Sequence, residues 1–364
     1  MRNKILIVTS EFPPHPGGIG NHALNLAQQL VKNNFNVTVV APRNNMIEDS
    51  AFDSSENFKI LRYPLSRFVK FFAIGTLIFI STLKSRKNIL IATGQSSLLC
   101  TSIFPKLLFK KSIAIFHGSE LRVGSKIIIN FLKISISKFD KIVAVSRFSK
   151  NCLLGTKSHL KAIVINNGFD PNRLSRNREK TTPSLNSVKL ITLGSLSYRK
   201  GQHNVINSLP HLKKKYGKVF YEMIGKPYIK GDLIELATKL GVENSVKFHG
   251  YLSIDEVVEK LLSSDIFVML SENIENGGVE GFGIAILEAN HLGLPAIGSL
   301  GCGIEDAISN GYNGKLISND SPADLYLATR NIIENYKNYS KNSIRWAKER
   351  TWELVVEKYK NEIS

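Results

Sequence analysis

The chain has 364 residues, of which 43% are hydrophobic and 21% are charged. This length exceeds one ordinary hydrophobic core and indicates two globular domains of similar size. Lys and Arg outnumber Asp and Glu by 48 to 30, a net charge of +18 that favours nucleic acid, anionic lipid or phosphorylated substrates as partners. The three cysteines, Cys100, Cys152 and Cys302, lack the spacing of a disulfide framework or a zinc site, so we expect reduced thiols in a cytosolic protein.

Two apolar segments are candidates for export or membrane insertion, and neither has the required features. KILIVTS (4–10) is followed by Pro13 and Pro14, so it predicts a first β-strand rather than a signal peptide. The run 68–83 is shorter than the roughly 20 apolar residues of a spanning helix, and it contains Lys70. We therefore expect no transmembrane segment.

Strand-like and helix-like segments alternate along the chain. After KILIVTS and a helix pattern, further strands are predicted at 36–43, 88–94, 112–118 and 141–146. The polar, aperiodic stretch 166–187 predicts a linker. The alternation then resumes, with strands predicted at 188–195, 219–225, 245–250, 265–271 and 294–299. This order indicates two consecutive α/β domains with parallel sheets, followed by a helical tail.

The segment VEGFGIAILEANHLGLPAIGS (279–299) predicts a glycine-rich loop that leads into a short helix. The start of a helix exposes free N–H groups and the positive end of the helix dipole, which suits a phosphate. The candidate donors are the amides of residues 283–286. Glu280 and Glu288 stand eight residues apart, roughly 12 Å along a helix axis. Because glycosidase carboxylates lie only about 5 to 9.5 Å apart, we do not expect a joint acid/base pair.

Three further motifs are weak when taken singly. Arg199 and Lys200 open a helix after a strand, where adjacent cations suit a diphosphate. The loop PPHPGGIGNHA matches the dinucleotide fingerprint GxGxxA only formally, and no acid that would bind an NAD ribose ends the second strand, so a dehydrogenase is not expected. His117 follows a strand, at the end where open α/β sheets bind ligands. No Walker A, HExxH, GxSxG or acidic metal-binding pair is present, and we predict no metal site.

Taken together and in order, these motifs resemble the retaining family 4 glycosyltransferases of the GT-B fold, relatives of phosphatidylinositol mannosyltransferase. The resemblance covers nearly the whole chain. It is carried by PHPGGIGNHALNLAQQL, FHGSE, VSRFSK, NNGFD, RKG, the E-x7-E segment EGFGIAILE and the late GCGIEDAISNGYNGKLI. It implies an α/β fold of two Rossmann-like domains facing a central cleft. Residues 1–170 would form the acceptor-side domain and 171–340 the nucleotide-sugar domain, and a helix in 341–364 would pack back on the first.

The resemblance also implies roles for individual residues. Glu280 would contact the donor sugar, Glu288 the ribose hydroxyls and His117 the transferred sugar. The expected catalytic residues are Glu280, His117, Arg199 and Lys200. The expected nucleotide-sugar-binding residues are Gly17, Gly18, Arg199, Lys200, Gly281, Phe282, Gly283, Ile284, Ala285 and Glu288. Ser195 stands where many relatives carry Arg, so phosphate binding would depend more on the Arg199–Lys200 pair.

The implied reaction moves a hexose-type sugar from a UDP- or GDP-sugar to a hydroxyl of a glycan or lipid-linked acceptor, with retention of configuration. The donor is a substrate, and no cofactor is expected. The cations and helix amides would stabilise the departing diphosphate without a metal. Such an activity fits the cytoplasm and the synthesis of a cell-surface polysaccharide, such as lipopolysaccharide, or of a glycolipid.

Basic residues surround the apolar run 68–83 and continue beyond it. They are Arg62, Arg67, Lys70, Lys84, Arg86, Lys87, Lys106, Lys110, Lys111, Lys126, Lys133 and Lys138. Basic residues beside amphipathic helices suit an anionic membrane surface, so peripheral attachment to the inner face of the membrane is one interpretation. A core helix with solvated ends fits the same pattern.

Two alternatives to a glycosyltransferase remain. A sugar-nucleotide epimerase of the same fold should carry acids placed for an elimination, which the sequence does not identify. A nucleic-acid-binding protein should carry stacking aromatics among its basic residues, whereas the aromatics here fall mostly within apolar runs. Nucleic acid is therefore not an expected partner.

Overall fold

The structure is a computed structural model that describes residues 4–15, 17–66, 69–82, 88–104, 108–174, 183–184, 187–274 and 278–363. The chain divides into two compact units. The first unit comprises Met1–Asn167 together with Trp352–Ser364, and the second comprises Gly168–Thr351.

The described part of the first unit contains a parallel sheet of seven strands in the order β3-β2-β1-β4-β5-β6-β7. The strands are β1 Lys4–Thr9, β2 Asn36–Arg43, β3 Lys59–Pro64, β4 Asn88–Thr93, β5 Lys111–Phe116, β6 Lys141–Ala144 and β7 Ala162–Val164. The helices are α1 Gly18–Lys32, α2 Met46–Ser55, α3 Val69–Thr82, α4 Gln95–Thr101, α5 Lys126–Ser137, α6 Arg147–Asn151 and α7 Lys157–Lys161. The C-terminal helix Trp352–Ile363 also belongs to this unit.

The central strands of the first sheet, such as β1 and β5, are continuously apolar and are buried on both faces. Ile5 and Ile7 face a core that contains α1 and the C-terminal helix. Leu6 and Val8 face the opposite core, which contains α3 and α5. Alternate residues of a single strand therefore anchor two separate helical layers.

The second unit contains, over its described residues, a six-stranded parallel sheet in the order β10-β9-β8-β11-β12-β13. Its strands are β8 Ser187–Leu193, β9 Lys218–Ile224, β10 Val246–Gly250, β11 Ile266–Met269, β12 Ala296–Ser299 and β13 Gly314–Ile317. Its helices are α8 Gln202–Tyr216, α9 Lys230–Lys239, α10 Ile254–Ser263, α11 Ile284–His291, α12 Pro322–Glu334 and α13 Tyr336–Lys348, so the C-terminal helix Trp352–Ile363 is α14.

All ten predicted strands are present, and three observed strands have no counterpart in the sequence prediction. These are β3 (KILRYP), β7 (AIV) and β13 (GKLI). The first mixes apolar residues with Arg, Tyr and Pro, and the others are three and four residues long. Such short segments carry too little periodicity to separate a strand from a loop. Of the predicted linker 166–187, residues 175–182 and 185–186 lie outside the described residues.

The predicted C-terminal helix 341–364 is two helices. Helix α13 (Tyr336–Lys348) belongs to the second unit, where Ala347 packs in its core. Helix α14 starts at Trp352 and packs with α1 in the first unit, through Trp352, Val356 and Tyr359. The helical periodicity runs across the break at 349–351, which is why the two helices cannot be separated by pattern alone.

Arg62, predicted to belong to the basic surface, is buried instead. Its side chain is 3% exposed and forms ion pairs with Asp53 at 2.6 Å and Asp49 at 3.7 Å. It also donates to the carbonyls of Pro42 at 3.0 Å and Pro13 at 2.7 Å. The acids come from α2, thirteen and nine residues earlier, so a count of local charge could not reveal the pairing. Arg62 thus ties α2 and the Pro-rich loop to β3.

Replacing Arg62 with Met should destabilise the first unit, because it leaves the buried carboxylate of Asp49 without its counter-charge. Breaking a buried pair in this way costs about 3 kcal/mol or more. Urea unfolding of the full chain, followed by circular dichroism, measures the loss. Arg330→Met, which breaks an exposed pair with Glu334, is the control and should leave the transition in place. Equal effects of the two substitutions would contradict the assigned role of Arg62.

Candidate active site

The strand order of the second sheet reverses between β8 and β11, which is where open parallel sheets bind ligands. Just after β8, a turn of 3₁₀ helix (Tyr198–Lys200) carries Arg199 and Lys200. The Nζ atom of Lys200 lies 3.9 Å from the Sδ atom of Met269, the last residue of β11. The predicted cation pair therefore lies at the reversal point.

Gly201 holds this turn against the end of β11. Its φ is 72°, in the left-handed region, and a Cβ atom there would collide with the carbonyl group of Leu270. The backbone N–H of Glu272 donates to the carbonyl of Arg199 at 3.0 Å. Only glycine permits this approach, so the third residue of the RKG motif positions the first two.

Glu280 lies between the two cations. Its Oε2 atom is 2.6 Å from Nη1 of Arg199 and 2.7 Å from Nζ of Lys200. The residue is only 8% exposed, and burial by itself would raise its pKa, but the charges of Lys200 and Arg199 outweigh burial and lower the pKa to about 2. The carboxyl of Glu280 is thus ionised at physiological pH in the unliganded protein.

The late GCG motif (301–303) supports the backbone of Glu280. The N–H of Gly303 donates to the carbonyl of Glu280 at 2.8 Å. A Cβ atom on Gly303 would meet the carbonyl of Gly281, so a larger residue would push this segment away. Phe282 is buried in the same core as Cys302 and Ile304. The sequence gives no indication of this contact, since the two segments are more than twenty residues apart.

Helix α11 starts at Ile284, after Gly283 with a φ of 88°. Among the described residues, the amides of Gly283, Ile284 and Ala285 have no hydrogen-bond acceptor. The amide of Ile286, predicted as a fourth donor, instead donates to the carbonyl of Gly283 at 2.9 Å. The first turn of α11 therefore offers three free amides, because it tightens at its fourth residue.

Glu288 has an environment unlike that of Glu280. Burial raises the pKa of Glu288, and the more distant charges of Arg173 and Lys200 compensate only in part. The nearest ion pair, to Nη1 of Arg173, is 3.7 Å long. Arg173 lies in the polar linker, where no motif marks it. The two glutamates of the E-x7-E segment thus have pKa values shifted in opposite directions, which argues for two separate roles.

In the first unit the strand order reverses between β1 and β4. His117 follows β5, next to β4, and its Nε2 atom is 2.8 Å from Oγ1 of Thr93. Burial lowers the pKa of His117 to about 3, so its imidazole is neutral. Thr93 ends β4 and lies within the predicted strand 88–94, but a threonine there is too common to be recognised as a partner.

Glu120 orders the turn that presents His117. Its carboxylate accepts the N–H groups of His117 at 2.9 Å and of Gly118 at 2.8 Å. Burial raises the pKa of Glu120 to about 7, although these hydrogen bonds oppose the rise. Glu120 thus closes the HGSE turn from inside the protein.

Helix α14 reaches the same region through His22 of α1. The His22 ring lies edge-on to His117, with centroids 5.2 Å apart, and to Trp352, at 5.0 Å. Its Nε2 atom is 3.1 Å from the hydroxyl of Tyr359. The histidine of the GIGNHA segment is therefore a buried link between His117 and the last helix, a role that the sequence prediction missed.

The two glycines of the N-terminal loop differ in their surroundings. A Cβ atom on Gly17 would collide with the carboxylate of Glu11, whereas one on Gly18 would meet open space. Gly17 precedes α1 and Gly18 starts it. A side chain at Gly17 would therefore require the Glu11 carboxylate to move, and at Gly18 the absence of a side chain leaves the helix start uncovered.

Among the described residues, no cluster of three or more His, Cys, Asp or Glu side chains is arranged to hold a metal ion.

Solved structures share this fold over the whole chain. HepE of Anabaena, in complex with UDP and glucose, matches with a TM-score of 0.79 at 19% identity, covering 100% of this chain and 99% of that one. Together with the two parallel α/β units, this likeness defines the fold as GT-B, the architecture predicted from the sequence.

The family follows from the sequence comparisons. Residues 16–173 match the family "Glycosyltransferase Family 4", and residues 175–350 match "Glycosyl transferases group 1". An uncharacterized glycosyltransferase of Methanocaldococcus jannaschii is 26% identical, covering 98% of this chain and 97% of its own. The GDP-mannose-dependent alpha-(1-6)-phosphatidylinositol monomannoside mannosyltransferase of Mycolicibacterium smegmatis is 24% identical, covering 86% and 85%. The chain belongs to the family 4 glycosyltransferases.

The ion cluster around Glu280 should make stability depend on pH in the acid range. Because the pKa of Glu280 in the folded protein lies below its ordinary 4.5, the cluster stabilises the fold above about pH 4.5 and loses this effect as the pH falls towards 2. The full contribution is about 3 kcal/mol at most.

We therefore expect Glu280→Gln to have a lower melting temperature than the unsubstituted protein at pH 6. The difference between their melting temperatures should become smaller between pH 5 and pH 3. Thermal unfolding monitored by circular dichroism measures both proteins. Glu334→Gln, at an exposed ion pair, is the control and should show no such convergence. A difference in melting temperature between Glu280→Gln and the unsubstituted protein that stays constant with pH would contradict the lowered pKa of Glu280.

Proposed function

We propose that the chain is a retaining glycosyltransferase that moves a hexose-type sugar from a UDP- or GDP-sugar to a hydroxyl of a glycan or lipid-linked acceptor. The observation that carries this proposal is the position of Glu280 between Arg199 and Lys200 at the strand reversal of the second sheet, beside the free amides of α11. The GDP-mannose dependence of the mycobacterial relative and the UDP bound to Anabaena HepE support a nucleotide-sugar donor.

The donor diphosphate would bind where positive charge is concentrated. Arg199 and Lys200 offer charge-assisted hydrogen bonds, and the amides of Gly283, Ile284 and Ala285 offer fixed dipoles. A diphosphate here competes with the Glu280 carboxylate for the two cations. As the bond between sugar and phosphate breaks, negative charge grows on the leaving phosphate, and these donors stabilise it. This arrangement supports metal-independent transfer.

The carboxylate of Glu280 would accept hydrogen bonds from hydroxyls of the donor sugar. Its lowered pKa keeps it anionic in the unliganded protein, which suits acceptance of hydrogen bonds. Glu288, six residues beyond Phe282 and in a less charged setting, would hold the ribose hydroxyls. Along this segment the donor would lie with its sugar at Glu280 and its ribose at Glu288.

His117 would contact the transferred sugar as a neutral imidazole, since its lowered pKa removes the charge. We assign no general base: in a reaction that retains configuration, the leaving phosphate can take the proton from the acceptor hydroxyl on the same face of the sugar. We place the enzyme in the cytoplasm, in the synthesis of a cell-surface polysaccharide or glycolipid.

Isothermal titration with UDP, GDP and duplex DNA tests the donor class. We expect one nucleoside diphosphate to bind and Lys200→Ala to weaken that binding, with transfer from the matching UDP- or GDP-sugar slowed by about 10²–10³-fold. Lys260→Ala, which removes a cation paired with Glu222 elsewhere in the same unit, is the matched control. DNA binding without nucleotide binding would overturn the proposal, and interconversion of sugar nucleotides without transfer would indicate an epimerase.

The separate roles of the two glutamates predict different kinetic defects. Glu288→Ala should weaken nucleotide binding, because it removes the acceptor for the ribose hydroxyls. Glu280→Ala should mainly lower kcat, because the sugar loses its anchor while the diphosphate keeps its cations. Steady-state kinetics and nucleotide titration on both variants separate the two effects. The same loss of affinity in both variants would contradict the division of roles.

A further inference from the structure

The outer faces of helices α3 and α5 are apolar and exposed. On α3 the exposed residues include Phe71, Phe72, Phe79 and Ile80, and on α5 they include Ile127, Phe131 and Ile134. Phe72 is 81% exposed and Phe131 is 63% exposed. Ile103, just after α4, adds a further exposed side chain. We call these eight residues the apolar face.

The helices of the apolar face lie in one layer, in which α4 contacts both α3 and α5. Ile74 and Ile78 of α3 and Leu132 and Ile136 of α5 pack into the same core on one side of the first sheet. Their exposed side chains therefore point away from that sheet, on its outer side. The spacing agrees: on α5, positions 127, 131 and 134 alternate with the buried positions 132, 135 and 136. Each helix thus has a core stripe and an opposing exposed stripe that is also apolar, and α3 is apolar around most of its circumference.

Positive charge accompanies the apolar face. Residues 57–139 contain fourteen Lys and Arg and a single acid, the buried Glu120. Two of these cations do not count toward the surface charge at the face: Arg62 is paired in the interior, and Lys59 lies on β3. Lys110, Lys126, Lys133 and Lys138 are exposed, and Lys70 is partly exposed. Arg67, Lys84, Arg86, Lys87 and Lys106 lie outside the described residues.

This combination identifies the chemistry of the partner. The apolar face consists of exposed aromatic and aliphatic side chains bordered by lysines, and residues 57–139 contain no exposed acid. Such a face complements a surface that is apolar within and negatively charged at its edge. Helix α3 has 14 residues, roughly 21 Å at 1.5 Å per residue, and falls short of the roughly 30 Å of a hydrocarbon core. Among the described residues no helix is both long and apolar enough to cross a bilayer.

We propose that the apolar face docks on an anionic lipid bilayer, with α3 and α5 lying in the plane of the interface. Phe72, Phe79 and Phe131 enter the boundary between headgroups and acyl chains, and Lys126 and Lys133 contact the headgroups. The first unit alone carries this surface, so docking requires neither donor nor acceptor and stands apart from the proposed reaction.

Co-sedimentation of the full chain with vesicles tests the proposal. We compare vesicles of mixed phosphatidylglycerol and phosphatidylcholine with vesicles of phosphatidylcholine alone, at low salt. The protein should sediment with the anionic vesicles and much less with the neutral ones. Absence of binding to anionic vesicles, or equal binding to both kinds, would overturn the proposal.

Paired variants separate the apolar from the electrostatic contribution. Phe72→Ser with Phe131→Ser should weaken binding by roughly tenfold or more, because both side chains lose their burial in the interface. The control is Leu160→Ser with Leu327→Ser, at sites 89% and 57% exposed and outside the apolar face.

Lys126→Gln with Lys133→Gln should weaken binding by roughly 25-fold, about fivefold per lysine. Lys214→Gln with Lys239→Gln removes the same charge from the second unit and should retain binding.

Two outcomes of these variants would refute the assignment. The first is a loss of vesicle binding in the control variants as large as in the variants of the apolar face. The second is a lipid-free dimer, seen by analytical ultracentrifugation, that Phe72→Ser with Phe131→Ser converts to monomer, since a second copy of the chain would then cover the face. All replaced side chains are exposed, and melting curves verify that each variant is folded.

Discussion

The site in the second unit depends on one carboxylate held between two cations. A buried glutamate is costly unless it is paired, and Glu280 obtains both partners from a single turn after β8. Two glycines make the contact possible, because Gly201 lets that turn approach β11 and Gly303 lets the late GCG motif support the backbone of Glu280. Three segments distant in sequence thus meet at the strand reversal, and the same cations that stabilise the carboxylate are suited to a diphosphate.

In the first unit, the groups near the strand reversal are buried histidines rather than an ion cluster. His117 and His22 are buried and have lowered pKa values, so the cluster that joins α1, β5 and α14 is neutral. Hydrogen bonds between His117 and Thr93 and between His22 and Tyr359, with the edge-on contact of His22 with Trp352, fix the rings without using charge. In the proposed reaction, a neutral imidazole would suit contact with a sugar hydroxyl, and the cations of the second unit would suit phosphate.

Much of the fold followed from the sequence, because buried parallel strands are continuous apolar runs and all ten runs assigned as strands are strands. The positions of Arg199, Lys200 and the start of α11 also followed, since each adjoins the end of such a run. The sequence could not show what depends on contacts across the fold: the burial of Arg62, the support of Glu280 by Gly303, the pairing of Glu288 with Arg173, and the link from His117 through His22 to α14. It also suggested a fourth free amide, at Ile286, which the tight first turn of α11 removes.

In the proposed function, Arg199 and Lys200 bind the donor diphosphate at the reversal between β8 and β11. A crystal structure of the chain with its nucleoside diphosphate would reveal this binding. We expect diphosphate oxygens within hydrogen-bond distance of Arg199, Lys200 and the amides of Gly283 to Ala285, with the ribose at Glu288. A nucleotide bound elsewhere, with Arg199 and Lys200 still paired only to Glu280, would contradict it.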